Sequence, residues 1–242
     1  GRSVDPALAA EAALIRYGLY DLEVTCLNAT LGSRRRSQLQ DCRLCLITTP
    51  CVDLADRVQA ALQNGVAMVQ YRCKDGNDRE RLQEAQILKK LCANHGALLI
   101  INDRVDLALA VDADGVHLGQ EDMPSVMARS LLGSDRLLGR STHSIDQVTK
   151  AQQEPIDYLG FGPIHSTAVK PERTPVGSDQ VGHAATISQR PVFAIGGITG
   201  ANLPALLAAG AQRVAVIGAI MNADDTGQAC RQLLQVLDSA TF

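Results

Sequence analysis

Residues 98–122 read LLIINDRVDLALAVDADGVHLGQED, and the pattern repeats: one apolar run closes on Asn102-Asp103, a second on Gly119-Gln120 ahead of Glu121-Asp122. A single acid after a strand is ordinary, because turns and helix N-caps favour Asp. Two acids after successive strands mean more if those strands are parallel neighbours, which lie about 5 Å apart. Asp103 and Asp122 would then share one rim and could hold a hard cation. Mg²⁺ commonly takes one or two protein carboxylates and leaves its other positions to phosphate and water. Upstream, Gln70, Arg72 and Lys74 alternate, and a period of two puts them on one face. One amide and two cations pointing the same way make a grip for an oxyanion or a phosphate. The plainer readings are helix caps, favoured by Pro124 after Asp122, and a solvated strand end. The residues alone leave both open.

Further groups of this kind follow. Ser141-Thr142-His143 ends another apolar run, where a lone His is more often a hydrogen-bonded structural residue than a base. The stretch GPIHSTAVKPERTPVG, residues 162–177, holds three prolines, one lysine and one arginine. It is long for a connection and has the character of an active-site cover, with Lys170 its best candidate for reaching a phosphate. AIGGIT and AVIGAI supply Gly196, Gly197 and Gly218, whose backbone N–H groups could approach an anion or which could serve only tight turns. Two separate anion grips imply two phosphorylated groups.

These residues need a scaffold that brings strand ends together. From Leu44 onward, short β-rich runs alternate with amphipathic helical stretches, as in βαβ units with a parallel sheet. The strand candidates are 44–48, 67–72, 98–102, 115–118, 137–141, 157–162, 192–196 and 213–218. Helical stretches such as DLADRVQAALQNG and DRERLQEAQILKKLCANHG carry apolar residues at three-and-four spacing and end in Gly. Eight strands and about eight helices in roughly 200 residues fit an α/β fold of the closed (β/α)₈ TIM barrel type. An open doubly wound sheet would carry a glycine-rich dinucleotide turn after its first strand, and LCLITTPCVD has none. The domain reading is therefore a barrel over residues 41–242, with chemistry at the C-terminal ends of its strands.

Residues 1–40 stand outside the repeat. DPALAAEAALIRYGLYDLE reads as a helix with an Asp-Pro start, and LGSRRRSQLQ as a polar linker. The Arg34–Arg36 run reads as a solvated connector, with a basic docking patch as the rival. The segment could be the tail of a larger N-terminal domain, and its helix could pack on the barrel or on a partner subunit, leaving a homo-oligomer open.

The chain has 242 residues, 46% hydrophobic and 20% charged, an ordinary globular balance with length for a large core. A net charge of −3, no Trp, four Tyr and three Phe give no basic or stacking surface, which argues against nucleic acid. No run approaches the roughly 20 apolar residues of a membrane span and no secretory signal opens the chain, so the expectation is cytoplasmic with no membrane partner. Seven cysteines are an odd number, spread through strand-like and helix-like segments, which suits free thiols. Cys42 and Cys45 form a lone C-x-x-C without the second pair of a zinc knuckle.

Taken in order and spacing, QYRCK, IINDRVDLALAVDADGVHLGQED, GRSTHS, GFGPIHSTAVK and AIGGIT closely resemble the thiamine-phosphate synthase family, from about Leu44 to the end of the chain. The resemblance implies a (β/α)₈ transferase of thiamine biosynthesis. It joins 4-amino-5-hydroxymethyl-2-methylpyrimidine diphosphate to 4-methyl-5-(2-hydroxyethyl)thiazole phosphate, both small-molecule substrates, giving thiamine monophosphate and diphosphate. It also implies a Mg²⁺ cofactor and a dissociative path through a pyrimidine-methyl cation. Carried over by motif, Gln70, Arg72, Lys74 and Asn102 would hold the pyrimidine diphosphate, and Asp103 and Asp122 the metal. Ser141 and Lys170 would contact diphosphate, while Thr167, Gly197 and the Ile217-Gly218 turn would face the thiazole phosphate. Arg72, Ser141 and Lys170 are the expected catalytic groups.

Departures from the family pattern are Cys73 for a Glu, which should point away from the site, and Val169 and Gly218, each replacing a hydroxyl. Asp106, Asp112, Asp114 and Glu121 revert to caps and surface. The rivals are a thiazole tautomerase, which shares the barrel but needs no diphosphate site, and a non-catalytic phosphate-binding relative.

Overall fold

In the computed structural model, which describes residues 6–166 and 173–240, eight parallel strands close into a barrel in sequence order. They are β1 (Leu44–Ile47), β2 (Met68–Tyr71), β3 (Leu98–Asn102), β4 (Gly115–Leu118), β5 (Leu137–Thr142), β6 (Tyr158–Phe161), β7 (Val192–Ile195) and β8 (Arg213–Val216). Every sequence-derived strand matches one of these within two residues at each end. Each strand pairs with its sequence neighbour, and β1 with β8 closes the ring. The strands are apolar nearly throughout because both faces are covered, by helices outside and by side chains within.

Local chemistry sets the helix limits. The helix Asp78–Asn94 opens at Asn77, whose side chain accepts the N–H of Glu80, and the helix Ile145–Ala151 opens at Ser144, which accepts from Gln147. The glycines read as helix stops take left-handed backbone, Gly65 at φ 93° and Gly96 at φ 66°. A cluster of buried residues packs the strands' outer faces against the helices. A second fills the barrel, with Cys45, Ile47, Met68, Leu98, Ile100, Leu137, Tyr158 and Phe193. All seven cysteines are free, and burial pushes the Cys42 thiol up to about 12, which does not suit a thiolate metal ligand. No helix among the described residues is long and apolar enough to cross a membrane.

The N-terminal segment corrects the sequence reading. Residues 31–40 are not a polar linker, because one helix, α1, runs from Pro6 to Asp41. Nor is the arginine run a solvated connector, although Arg34 is exposed. Arg35 is buried and pairs with Asp114 at 3.1 Å and Asp135 at 2.8 Å, while Arg36 pairs with Asp157 at 2.8 Å. Gly32 lets the helix approach, since a Cβ there would lie 3.1 Å from the Asp135 Cα. Leu39, 1% exposed, then plugs the bottom of the barrel. Asp114, read as a surface acid, instead joins Arg35, Lys89 and the Leu99 N–H. Ahead of this docked end, α1 leaves its large apolar side chains from Leu8 to Leu27 more than half exposed.

Candidate active site

The C-terminal ends of the strands open onto two adjoining cavities of about 110 Å³ each. The first sinks into the barrel mouth between Cys45, Ile47, Phe193, Ile195, Ala215 and Ile217, with Gln70, His117 and Tyr158 among its few polar groups. The second is charged, lined by Arg72, Lys74 and Arg173 on one side of the balance and Asp103, Glu121 and Asp122 on the other. Arg72, Asn102, Ser141 and His143 line both. A flat heteroaromatic group suits the first cavity and a polyanion with its counter-ion the second.

Strand pairing places these groups. Gln70 is buried on β2, and its amide donates to Asn102 Oδ1 at 2.8 Å across the β2–β3 ladder. Buried Thr48 accepts the Arg72 N–H at 2.9 Å and so fixes the backbone just past β2. Cys73 packs against the outer core, away from the cavities, as alternation predicts. On β3 and β4, Asn102 pairs with His117, and the Asp103 N–H donates to the His117 carbonyl at 2.8 Å. That pairing brings the two strand ends, and the acids beyond them, together.

Asp103 takes φ 63°, a left-handed conformation that Asp tolerates better than most residues. Lys74 Nζ stands 3.3 Å from its Oδ2. Partial burial, then the facing Asp122 carboxylate, raise the Asp103 pKa above the ordinary aspartate value, and Lys74 opposes the shift. Asp122 is held in turn by the Gly119 N–H at 2.6 Å. A Cβ on residue 119 would lie 2.9 Å from that same oxygen. Two crowded carboxylates repel each other, and a cation between them removes the repulsion. No group of three or more His, Cys, Asp or Glu able to cage a metal occurs among the described residues. The pair therefore fits a hard ion that takes most of its ligands from phosphate and water.

A polar chain that sequence reasoning missed runs along the wall of the first cavity. Tyr158 Oη lies 3.2 Å from His117 Nδ1, and His117 Nε2 lies 2.9 Å from Ser141 Oγ. Burial raises the Tyr158 pKa far above neutrality, so its O–H remains to donate to Nδ1. With that bond, a neutral His117 would carry its proton on Nε2 and donate it to Ser141, leaving the Ser141 hydroxyl proton for a ligand. Gly139 and Gly160 make room for this chain. A Cβ at 139 would meet the Tyr158 ring at 2.2 Å and His117 Nδ1 at 2.6 Å. The available signal was one polar residue inside the apolar run GVHL. Arg173 was missed as well, although it lies in the stretch read as a cover.

Gly196 lines the apolar cavity, at φ 104°, and Gly197 follows at φ 63°. A Cβ on Gly196 would come within 2.6 Å of Pro163, and one on Gly197 within 2.8 Å of His165, so close packing of the loop after β6 requires both. Ile217 lines the same cavity, and Gly218 opens the short helix Gly218–Met221. His143 Nδ1 bonds the Gly162 carbonyl, as expected of a structural histidine, yet it also lines both cavities. Thr167, Val169 and Lys170 lie outside the described residues.

The family model described as thiamine monophosphate synthase matches residues 44–220. The chain belongs to this family. It is 80% identical, over its whole length and 69% of the relative, to thiamine-phosphate synthase of Synechococcus sp. (strain CC9605). Identity to the enzyme of Parasynechococcus marenigrum (strain WH8102) is 65% over the same shares. Among solved structures, thiamine phosphate pyrophosphorylase from Pyrococcus furiosus superimposes with a TM-score of 0.76 at 33% identity, covering 86% of this chain and 99% of that one. A 3-hexulose-6-phosphate synthase, at 16% identity and TM-score 0.59, shares the fold. Within the family, then, this chain sets an apolar and a charged cavity side by side, with both acids of the β3 and β4 ends in the charged one.

Proposed function

We propose that the protein is a thiamine-phosphate synthase, joining a pyrimidine-methyl diphosphate to a thiazole phosphate with release of diphosphate. The observation that carries this reading is the pair of cavities with a common wall. The heterocycles would occupy the apolar one, and the diphosphate the charged one, with the bond to be broken near Arg72, Asn102 and Ser141. Asp103 and Asp122 would hold Mg²⁺, which when bound neutralises charge on the leaving diphosphate.

The chain's own groups do the rest. Arg72 and Lys74 meet diphosphate oxygens as fixed cations, and Arg173 extends the positive side. Ser141 donates its hydroxyl, oriented by His117 and Tyr158. Asn102 Oδ1 accepts from Gln70 and so leaves its own N–H donors for the ligand, while Gln70 keeps its carbonyl oxygen for a ring amino group. Already in place around the charged cavity, these donors and cations stabilise the negative charge that grows on the leaving group. Lys170 is assigned to the diphosphate, and Thr167, the Gly197 backbone and the Ile217-Gly218 turn to the thiazole phosphate. With Val169 and Gly218 lacking hydroxyls, that last site depends chiefly on backbone N–H donors.

Purified protein mixed with both substrates and Mg²⁺ should release thiamine monophosphate and diphosphate in equal amounts. Conversion at the background rate would overturn the reading.

A further inference from the structure

Arg140 lies on β5 beside Ser141, and strand alternation turns it away from the cavities. It is nevertheless only 8% exposed. Its Nη1 donates to the Gly119 carbonyl at 2.7 Å, and Nη2 lies 3.5 Å from the Gln120 carbonyl. On the other side its Nε stands 3.7 Å from Glu154 Oε2, without a hydrogen-bond partner of its own, and Glu154 accepts from the Ser125 hydroxyl. Gly119 and Gln120 are the first residues past β4, and Ser125 starts the next helix. The buried cation thus ties together both ends of the segment that carries Asp122.

The link to Asp122 runs through Gly119. Arg140 holds the carbonyl of Gly119, and the N–H of Gly119 holds the Asp122 carboxylate at 2.6 Å. The Gln120 side chain adds a second tie to β5 through the Ser141 carbonyl. A buried guanidinium is costly, and a well-packed apolar side chain at an outward strand position is often the more stable choice. Its presence is explained by what it orients.

We propose that Arg140 is a positioning residue that fixes Asp122 for the metal and diphosphate. The inference rests on the reading of Asp103 and Asp122 as the metal's protein ligands. Outer partners of this kind change metal affinity by roughly 10- to 100-fold when removed.

The test is Mn²⁺ binding in the presence of inorganic diphosphate, followed by electron paramagnetic resonance, on the full chain and three variants. Arg140→Met should weaken Mn²⁺ by about tenfold and raise the Mg²⁺ concentration for half-maximal rate to match, with KM for the thiazole phosphate unchanged. Arg140→Lys, which reaches a single carbonyl, should fall between and serves if the Met variant does not fold. Asp122→Ala should weaken Mn²⁺ more than either. If Asp122→Ala weakens Mn²⁺ while the folded Arg140 variants bind it normally, the positioning role is wrong. If Asp122→Ala leaves Mn²⁺ binding intact, the metal reading itself fails.

Discussion

At Asp103, the geometry that serves the chemistry works against the fold. The residue takes a left-handed φ of 63° and faces Asp122 from a partly buried position. Its pKa is raised, so the folded state binds a proton more tightly than the unfolded chain does. Stability from this group therefore falls as pH climbs from the ordinary aspartate pKa through the raised one, and at neutral pH the ionised carboxylate is a net cost. Asn fits the same backbone and carries no charge. Asp103→Asn should thus raise the Tm of the metal-free protein at pH 7 while lowering kcat on the order of a hundredfold, the scale of losing one preorganised electrostatic group. The stability gain should vanish at pH 3, where the carboxylate is protonated anyway. Thermal scans at both pH values, alongside turnover, check each part, and a lower Tm at pH 7 would mean that the ionised Asp103 carboxylate is no cost to the fold.

At the scale of elements, what could be read in the sequence was what repeats locally. Eight apolar runs with turn signals gave the strands, and parallel neighbours β3 and β4 carried Asp103 and Asp122 to one rim without further information. What could not be read depends on partners distant in the chain. His117 looks like one polar residue in GVHL until β5 and β6 bring Ser141 and Tyr158 to it, 24 and 41 residues away. The polar stretch after Thr30 suggested a connector because its arginines find Asp114, Asp135 and Asp157 only across the fold. Arg35→Ala would leave Asp114 to Lys89 and Asp135 to Arg136 at 3.5 Å. Losing these charge-assisted bonds while both acids keep another cation should lower stability by about 2 kcal/mol. Urea unfolding measures this, and activity per folded molecule should be unchanged. A loss of under 0.5 kcal/mol, typical of a surface ion pair, would mean that the end of α1 is not a structural cap.

The whole molecule divides its work between the two ends of the barrel. The bottom is closed by the docked end of α1 and a belt of arginines and aspartates. Within that belt Asp157 takes Arg36, Arg129 and the Leu138 N–H, as Asp114 takes Arg35, Lys89 and the Leu99 N–H. The top is left to strained turns, crowded acids and cavities, the usual arrangement of such barrels. Rigidity below permits strain above, because the closed end is held by residues that line neither cavity. On the proposed function, diphosphate and heterocycle separate between the charged and apolar cavities. A crystal structure with Mg²⁺, diphosphate and thiamine monophosphate bound tests it most directly. The metal should lie between Asp103 and Asp122, the diphosphate against Arg72, Lys74 and Ser141, and the pyrimidine ring in the cavity beside Gln70 and Ile217. Diphosphate at the Gly196–Gly197 turn with the acids free of metal would contradict it.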